Sequence, residues 1–219
     1  MQIDIWSDVA CPWCFIGKRR FERALAGWAH RDEVQVTWHS YQLDPSLPEH
    51  HDGTEAEYLA SRKGMPIDQV RQMFAHVTEQ AAGEGLAYDF DRVVVANSIR
   101  AHQLLHLAKA HGRADEVKEA LLSAHFEQGV DIGSIDALAR IGVAAGLDEA
   151  EIRASLADER RLPAVRADIA QAQQLGVSGV PFFVFDMRLG VSGAQPPEVF
   201  AQALERAREA SLEEAVPER

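Results

Sequence analysis

The sequence predicts an α/β protein in which the two ends of the chain build one sheet and a large all-helical block is inserted between them. Three observations predict it. The N-terminal part has a strand, helix, strand pattern. A long Ala-rich stretch with helical spacing follows. Near the C-terminus a strand-length apolar run, Val180-Pro181-Phe182-Phe183-Val184-Phe185, brings strands back. The division that follows is residues 1–44 and 176–219 for the αβ unit and 45–175 for the helical insertion.

Ile3, Ile5 and Trp6 mark a short apolar strand, which leads into Cys11-Pro12, where proline at the first helical position starts a helix well. Phe15, Phe21, Leu25 and Trp28 form an apolar stripe for a helix up to Trp28. Lys18, Arg19, Arg20 and Glu22 fill its wetter side, and Gly27 helps to end it. Val34-Gln35-Val36-Thr37-Trp38 alternates with period two and reads as a second strand, stopped before Asp44-Pro45 and Pro48.

Helices are then expected near 55–62, 67–84, 91–111, 114–128, 134–145, 148–157 and 163–175. Glycines at 64, 83, 85, 112, 129, 146 and 176 fall near their ends, where glycine can take the left-handed cap. After the apolar run, Asp186-Met187-Arg188 separates it from Leu189-Gly190-Val191-Ser192 as a hairpin. Pro196-Pro197 opens a last amphipathic helix through Val199, Phe200 and Leu204, and the tail SLEEAVPER is expected to fray.

A chain of 219 residues with 47% hydrophobic and 26% charged residues can bury a substantial core without disulfide staples. Its formal charge of -12, with no basic run longer than Lys18-Arg19-Arg20, argues against nucleic acid as a partner. MQIDIWSDVA lacks the features of a secretory signal, and no stretch of about 18 apolar residues occurs, so a cytoplasmic protein with no membrane partner is expected.

The two cysteines of the chain lie three apart, in Cys11-Pro12-Trp13-Cys14. This pattern reads as a single redox or metal-binding dithiol rather than a structural disulfide framework. A thiolate is the attacking species, and a helix N-terminus favours its charge by up to about 2 kcal/mol, which would bring a thiol from about 8.5 to about 7. Cys11, at the helix tip, is therefore the expected attacker and the more exposed sulfur. Cys14, one turn in and flanked by Trp13 and Phe15, is the expected resolver.

Zinc would need about four ligands, and His30 and His39 do not have convincing ligand spacing, so no metal is expected. A pair of inert buried thiols is the other bland alternative. Asp8, three residues before Cys11, is read as a turn cap or surface group that could also raise the thiol pKa. Lys18 and Arg19 are read as solvated charges, and His50-His51 as a solvated loop.

The segments IDIWSD, CPWC, FIGKRRFERAL and GVSGVPFFVF together resemble the DsbA-type thioredoxin superfamily, with the FrnE-like branch as the nearest match, over nearly the whole chain. The resemblance implies a thioredoxin fold with a large all-helical insertion and dithiol-disulfide exchange on protein or peptide thiols. It also implies a cis bond at Val180-Pro181 packed against the dithiol, with the Val180 backbone free to pair with an extended substrate beside Trp13. Asn97-Ser98-Ile99-Arg100-Ala101-His102 resembles a family motif that faces the active-site region, which makes Asn97 and His102 candidate substrate-binding residues. Read on its own chemistry, the same segment is a helix-start Asn and a partly buried His.

Two other classes stay open. The related kappa-class glutathione transferases and 2-hydroxychromene-2-carboxylate isomerases activate glutathione's own thiol, usually with serine where Cys11 stands. Cys14 counts against that reading, although glutathione remains a candidate redox partner and no other cofactor is implied. A binding or chaperone module that keeps the dithiol as a redox sensor is the third.

Overall fold

The computed structural model describes residues 1–48 and 51–215. Its sheet consists of β1 (Gln2–Ser7), β2 (Gln35–Ser40), β3 (Phe182–Phe185) and β4 (Leu189–Ser192), in the order β2-β1-β3-β4. β1 and β2 run parallel, with Ile3 opposite Val36 and Trp6 opposite His39. β3 is antiparallel to β1, with Ile3 opposite Phe185, and β4 is antiparallel to β3. The parallel pair needs a crossover, which α1 (Pro12–Ala26) supplies.

β1 is central and buried on both faces, which explains why IDIW is apolar almost without alternation. Ile3, Ile5, Phe183 and Phe185 face α1 and α9 (Pro197–Ala215), where the Phe21 ring lies 5.4 Å from Phe183 and 5.8 Å from Phe200. Trp6 and Val184 face the opposite side and pack on Ala172 of α8 (Leu162–Gln174).

The remaining helices are α2 (Glu55–Lys63), α3 (Ile67–Gly83), α4 (Ile99–Ala110), α5 (Ala114–Phe126), α6 (Ile135–Ala144) and α7 (Glu149–Ala157). α4 is buried almost all round, from Ala101 to Leu105 and at Leu107 and Ala108, as befits the central helix of the insertion. α2 starts with a capping box, Thr54 and Glu57 exchanging hydrogen bonds, and ends at Gly64 with φ of 63°.

Three expectations change. Residues 91–98 are not helical: the β-branched run Val93-Val94-Val95 stays extended, Val94 bridges Thr54, and the Asn97 side chain accepts from the Ile99 N–H where α4 begins. The tail is helical as far as Ala215, and 216–219 lie outside the described residues, as does His50. The apolar run yields a strand only from Phe182, leaving Val180 and Pro181 as the segment before it.

α8 packs against the sheet. Asp168 accepts hydrogen bonds from the Ser40 N–H (2.8 Å) and the Trp6 indole (3.0 Å, at its backbone carbonyl). The largest buried cluster runs without a break from Ile3 and Phe183 to Leu104 and Leu138, so sheet and insertion share one core.

Candidate active site

Cys11 is the N-cap residue of α1 and Pro12 occupies the first turn. No side chain caps the helix end, so the first N–H groups are open to a charge on sulfur. Cys14 follows one turn later, its N–H donating to the Cys11 carbonyl at 3.0 Å. Both cysteines are free thiols.

Both sulfurs are buried, Cys11 at 4% and Cys14 at 1% exposure, so Cys11 is the more exposed of the two by a narrow margin. Their burial comes from the insertion, whose α2, α3 and 90–98 segment close over the end of α1. They leave a cavity of about 570 Å³ that Cys11 lines and Cys14 does not. The asymmetry between the two sulfurs thus concerns access to this cavity. Ala10, Pro12, Trp13, Leu43, Leu47, Leu59, Met73, Phe74, Val77 and Phe90 give it an apolar lining, while Glu55, Tyr58, Arg62 and Lys63 bring polar groups.

The Val180-Pro181 peptide bond is cis, and Val180 places its carbonyl 3.5 Å from the Cys11 sulfur, which donates to it. The Pro181 carbonyl is taken by the Gly193 N–H at 2.8 Å. Trp13 lines the cavity with its ring 6.2 Å from that of His76.

Asn97 and His102 are near the site without reaching into it. Asn97 accepts from Gln42 at 2.6 Å and donates to the Leu47 carbonyl at 2.5 Å, which ties down the loop after β2. His102 is 0% exposed and meets Asp8 at 3.1 Å. It sits on the buried stretch of α4 that runs from Ala101 to Leu105.

Asp8 is buried rather than on the surface. It accepts from the N–H groups of Ala10 (3.2 Å) and Leu43 (2.7 Å), so the turn-capping reading holds and the surface one does not. Burial opposes its charge, but the hydrogen bonds, His102 first, outweigh burial and hold its carboxyl below the usual range.

The dithiol ionises as a unit. The hydrogen bond with Cys14, burial and the Asp8 charge push the Cys11 thiol well up. Burial also resists ionisation of Cys14, but the hydrogen bond from Cys11 and the Lys118 charge bring that thiol below its ordinary value. The first proton therefore leaves easily and the second with difficulty, and the cation lies by Cys14 rather than by Cys11.

Lys18 is buried rather than solvated, and Arg19 is 29% exposed. Lys18 is 2% exposed and pairs with Glu22, with Glu119 at 3.1 Å and with Asp115 at 3.4 Å. Arg19 pairs with Glu22 at 2.9 Å and with Glu119. α5 covers this face of α1 and supplies two of the carboxylates.

Three residues here carry no motif. Tyr88 donates its hydroxyl to the Pro12 carbonyl at 2.6 Å and so anchors the turn that holds the cysteines. His125 lines the cavity and is pushed down to about 4 by burial. Lys118 is wholly buried. Its spacing from Leu121 and Leu122, three and four residues on, was the available signal, since it places the lysine on the buried stripe of α5. Among the described residues no group of three or more His, Cys, Asp or Glu side chains could hold a metal ion, and no helix is long and apolar enough to cross a membrane.

Residues 2–205 match the family model described as a DSBA-like thioredoxin domain. The probable DsbA oxidoreductase SCO1869 of Streptomyces coelicolor superposes with a TM-score of 0.92 at 42% identity, covering 100% of this chain and 93% of its own. YwbO of Bacillus subtilis, an uncharacterised protein, is 26% identical over 208 residues, 93% of this chain and 96% of that one. The cytosolic disulfide reductase DsbM of Pseudomonas aeruginosa shares the fold at 17% identity, with a TM-score of 0.65 over 95% of this chain and 100% of that one.

Proposed function

The chain belongs to the DSBA-like thioredoxin domain family, and from that premise we propose that it is a dithiol-disulfide oxidoreductase acting on protein thiols and disulfides through Cys11 and Cys14. The observation that carries this reading is the position of Cys11. It caps α1, opens on an apolar cavity and has the Val180 carbonyl at its sulfur, while Cys14 waits one turn behind, away from the cavity.

In the oxidising direction a client thiolate attacks Cys11 Sγ, the Cys11–Cys14 bond breaks, and Cys14 leaves as a thiolate. A second client thiolate then attacks the client sulfur of the mixed disulfide and releases Cys11. Two electrons pass from client to enzyme, and the reductive direction is the reverse. The segments IDIWSD, CPWC, FIGKRRFERAL and GVSGVPFFVF support placement in the FrnE-like branch.

The test is an equilibrium titration of the pair in glutathione redox buffers, with Cys14→Ser to trap the mixed disulfide on Cys11. A reversible two-electron transition and a trapped adduct support the reading, and thiols that stay unreactive in the native protein sink it. Binding to unfolded clients that survives Cys11→Ser, with no turnover in either protein, would instead identify a binding module.

The cavity favours one second reading. Its volume of about 570 Å³ lies in the range of small-molecule sites. A glutathione-sized thiol would fit it, either as redox partner or as the activated thiol of an isomerase or transferase. Glutathione-dependent isomerisation that persists in Cys14→Ser would favour the latter.

A further inference from the structure

Lys118 is 0% exposed, and its ammonium makes no hydrogen bond with any described residue. Its Nζ lies 5.7 Å from the centre of the Trp38 ring, against which Lys18 also lies, at 6.0 Å. The two lysines differ in one respect. Lys18 has Glu22, Asp115 and Glu119 as counter-charges, whereas Lys118 has no carboxylate in ion-pair contact among the described residues. Leaving an ammonium buried and unpaired is costly, so its placement calls for a compensating charge.

Burial pushes the Lys118 ammonium below its ordinary value; Cys14 first, then Asp8 and Cys11, oppose this, while Lys18 adds to it and His102 feels the Lys118 charge in turn. Asp8 is already committed to Ala10, Leu43 and His102. Cys14 is 1% exposed, does not line the cavity, and stands one helical turn before Lys18, which pairs with Asp115 and Glu119 of α5 and shares the Trp38 ring with Lys118. The open counter-charge is the Cys14 sulfur, which can carry a negative charge only while the pair is reduced.

We propose that Lys118 is a positioning residue of the dithiol, holding the negative charge on Cys14 so that the reduced pair is stabilised and Cys14 is poised to resolve a mixed disulfide on Cys11. The proposal rests on the dithiol-disulfide reading of the site. In the resolving step Cys14 thiolate attacks Cys11 Sγ and a Cys11–Cys14 bond forms. The bond from Cys11 to the substrate sulfur breaks, and the substrate leaves with the electron pair as a thiolate that takes a proton from water. Oxidation removes the anion and leaves the ammonium with Asp8 alone, so the oxidised form gives up stability that the reduced form keeps. In this chain the helical insertion thereby sets the poise of the dithiol through α5.

Lys118→Met keeps the apolar stem and removes the charge, and Lys118→Arg keeps the charge. Three quantities are measured on the wild type and both variants. These are the equilibrium with glutathione, the pH midpoint of thiolate absorbance in the reduced protein, and the urea midpoints of the oxidised and reduced forms.

For Lys118→Met the expected result is at least a tenfold loss of the reduced pair's advantage, about 30 mV toward a more reducing couple. The thiolate midpoint should rise, and the reduced form should lose stability relative to the oxidised one. Lys118→Arg should restore the midpoint. Equal shifts of both urea midpoints, with the thiolate midpoint unmoved, would reduce Lys118 to a structural group and overturn the proposal. If the methionine variant does not fold, Lys118→Gln is read in the same way. The thiolate midpoint is measured without any client, so it tests Lys118 even if the enzyme turns over none of the substrates offered.

Discussion

Gly17 of α1 and Pro181 approach so closely that a Cβ on the glycine would lie 2.8 Å from the proline Cγ and 3.4 Å from the Ala194 Cβ. The helix that carries the cysteines and the segment that carries the Val180 carbonyl therefore meet where no side chain fits. Alanine would favour the helix by up to about 1 kcal/mol through propensity, but it collides with a rigid ring, and overpacking of this kind costs about 1–3 kcal/mol. Gly17→Ala should lower the urea midpoint and slow thiol exchange at Cys11 several-fold, because the helix and the Val180 carbonyl must separate. Unchanged stability together with unchanged exchange would show that the two segments part without cost.

Most of the frame of this site is legible in the residues. β1, β2, the start of α1 and the final hairpin follow from apolar runs, Pro12 and the turn at 186–188, and the glycine caps mark the helix ends. What the residues do not carry is the second face of α1. Lys18, Arg19 and Arg20 read as solvent-facing because periodicity describes one helix at a time. Here α5 brings Asp115 and Glu119, and α3 with its following turn brings Gln80 and Glu84, to meet them. The same blindness hides Tyr88, whose partner Pro12 is remote in sequence. His102, which its own chemistry reads as partly buried, is fully buried. Residues 91–98 fail for a local reason, since three successive valines interrupt a pattern that otherwise reads as helix.

Asp168 joins β2, α4 and α8. It meets His39 at 3.0 Å and His106 at 2.9 Å and accepts from the Ser40 N–H at 2.8 Å, while His39 also reaches Asp4 at 2.7 Å. Burial opposes the Asp168 charge, but the hydrogen bonds, His106 and His39 first, outweigh it and hold the carboxyl far below the usual range. A carboxyl depressed on folding contributes stability that is present above its unfolded value of about 3.9 and is lost as pH falls below it. Removing one partner of a buried charged network costs about 3–5 kcal/mol. Asp168→Asn should therefore be markedly less stable than wild type at pH 7, with the gap narrowing toward pH 3. Urea midpoints at the two pH values check this, and a gap that does not change with pH would refute it.

Glu55 lines the cavity with its carboxyl pushed up to about 7 by burial. Near neutral pH the cavity therefore changes charge within the working range. Above pH 7 the ionised carboxylate repels an anionic substrate, and below it the neutral acid does not. The KM for an anionic aromatic disulfide should rise between pH 6 and pH 8, while that for a neutral analogue should not, and Glu55→Gln should remove the difference. A pH dependence that survives in Glu55→Gln would assign the effect to other groups.

Met73 projects from α3 into the cavity and is 37% exposed, so a larger side chain there has room to turn without breaking the core. Met73→Trp should narrow the space beside Cys11 while leaving the helix N-terminus and the Val180 carbonyl untouched. If the cavity receives the apolar flank of the substrate, KM for a client peptide with a bulky residue next to its cysteine should rise several-fold with kcat nearly unchanged, the pattern of lost uniform binding. Alkylation of Cys11 by a small reagent that needs no pocket should keep its rate. Equal losses with both probes would mean that the tryptophan disturbs the sulfur itself. An unaltered KM would mean that clients reach Cys11 without entering the cavity.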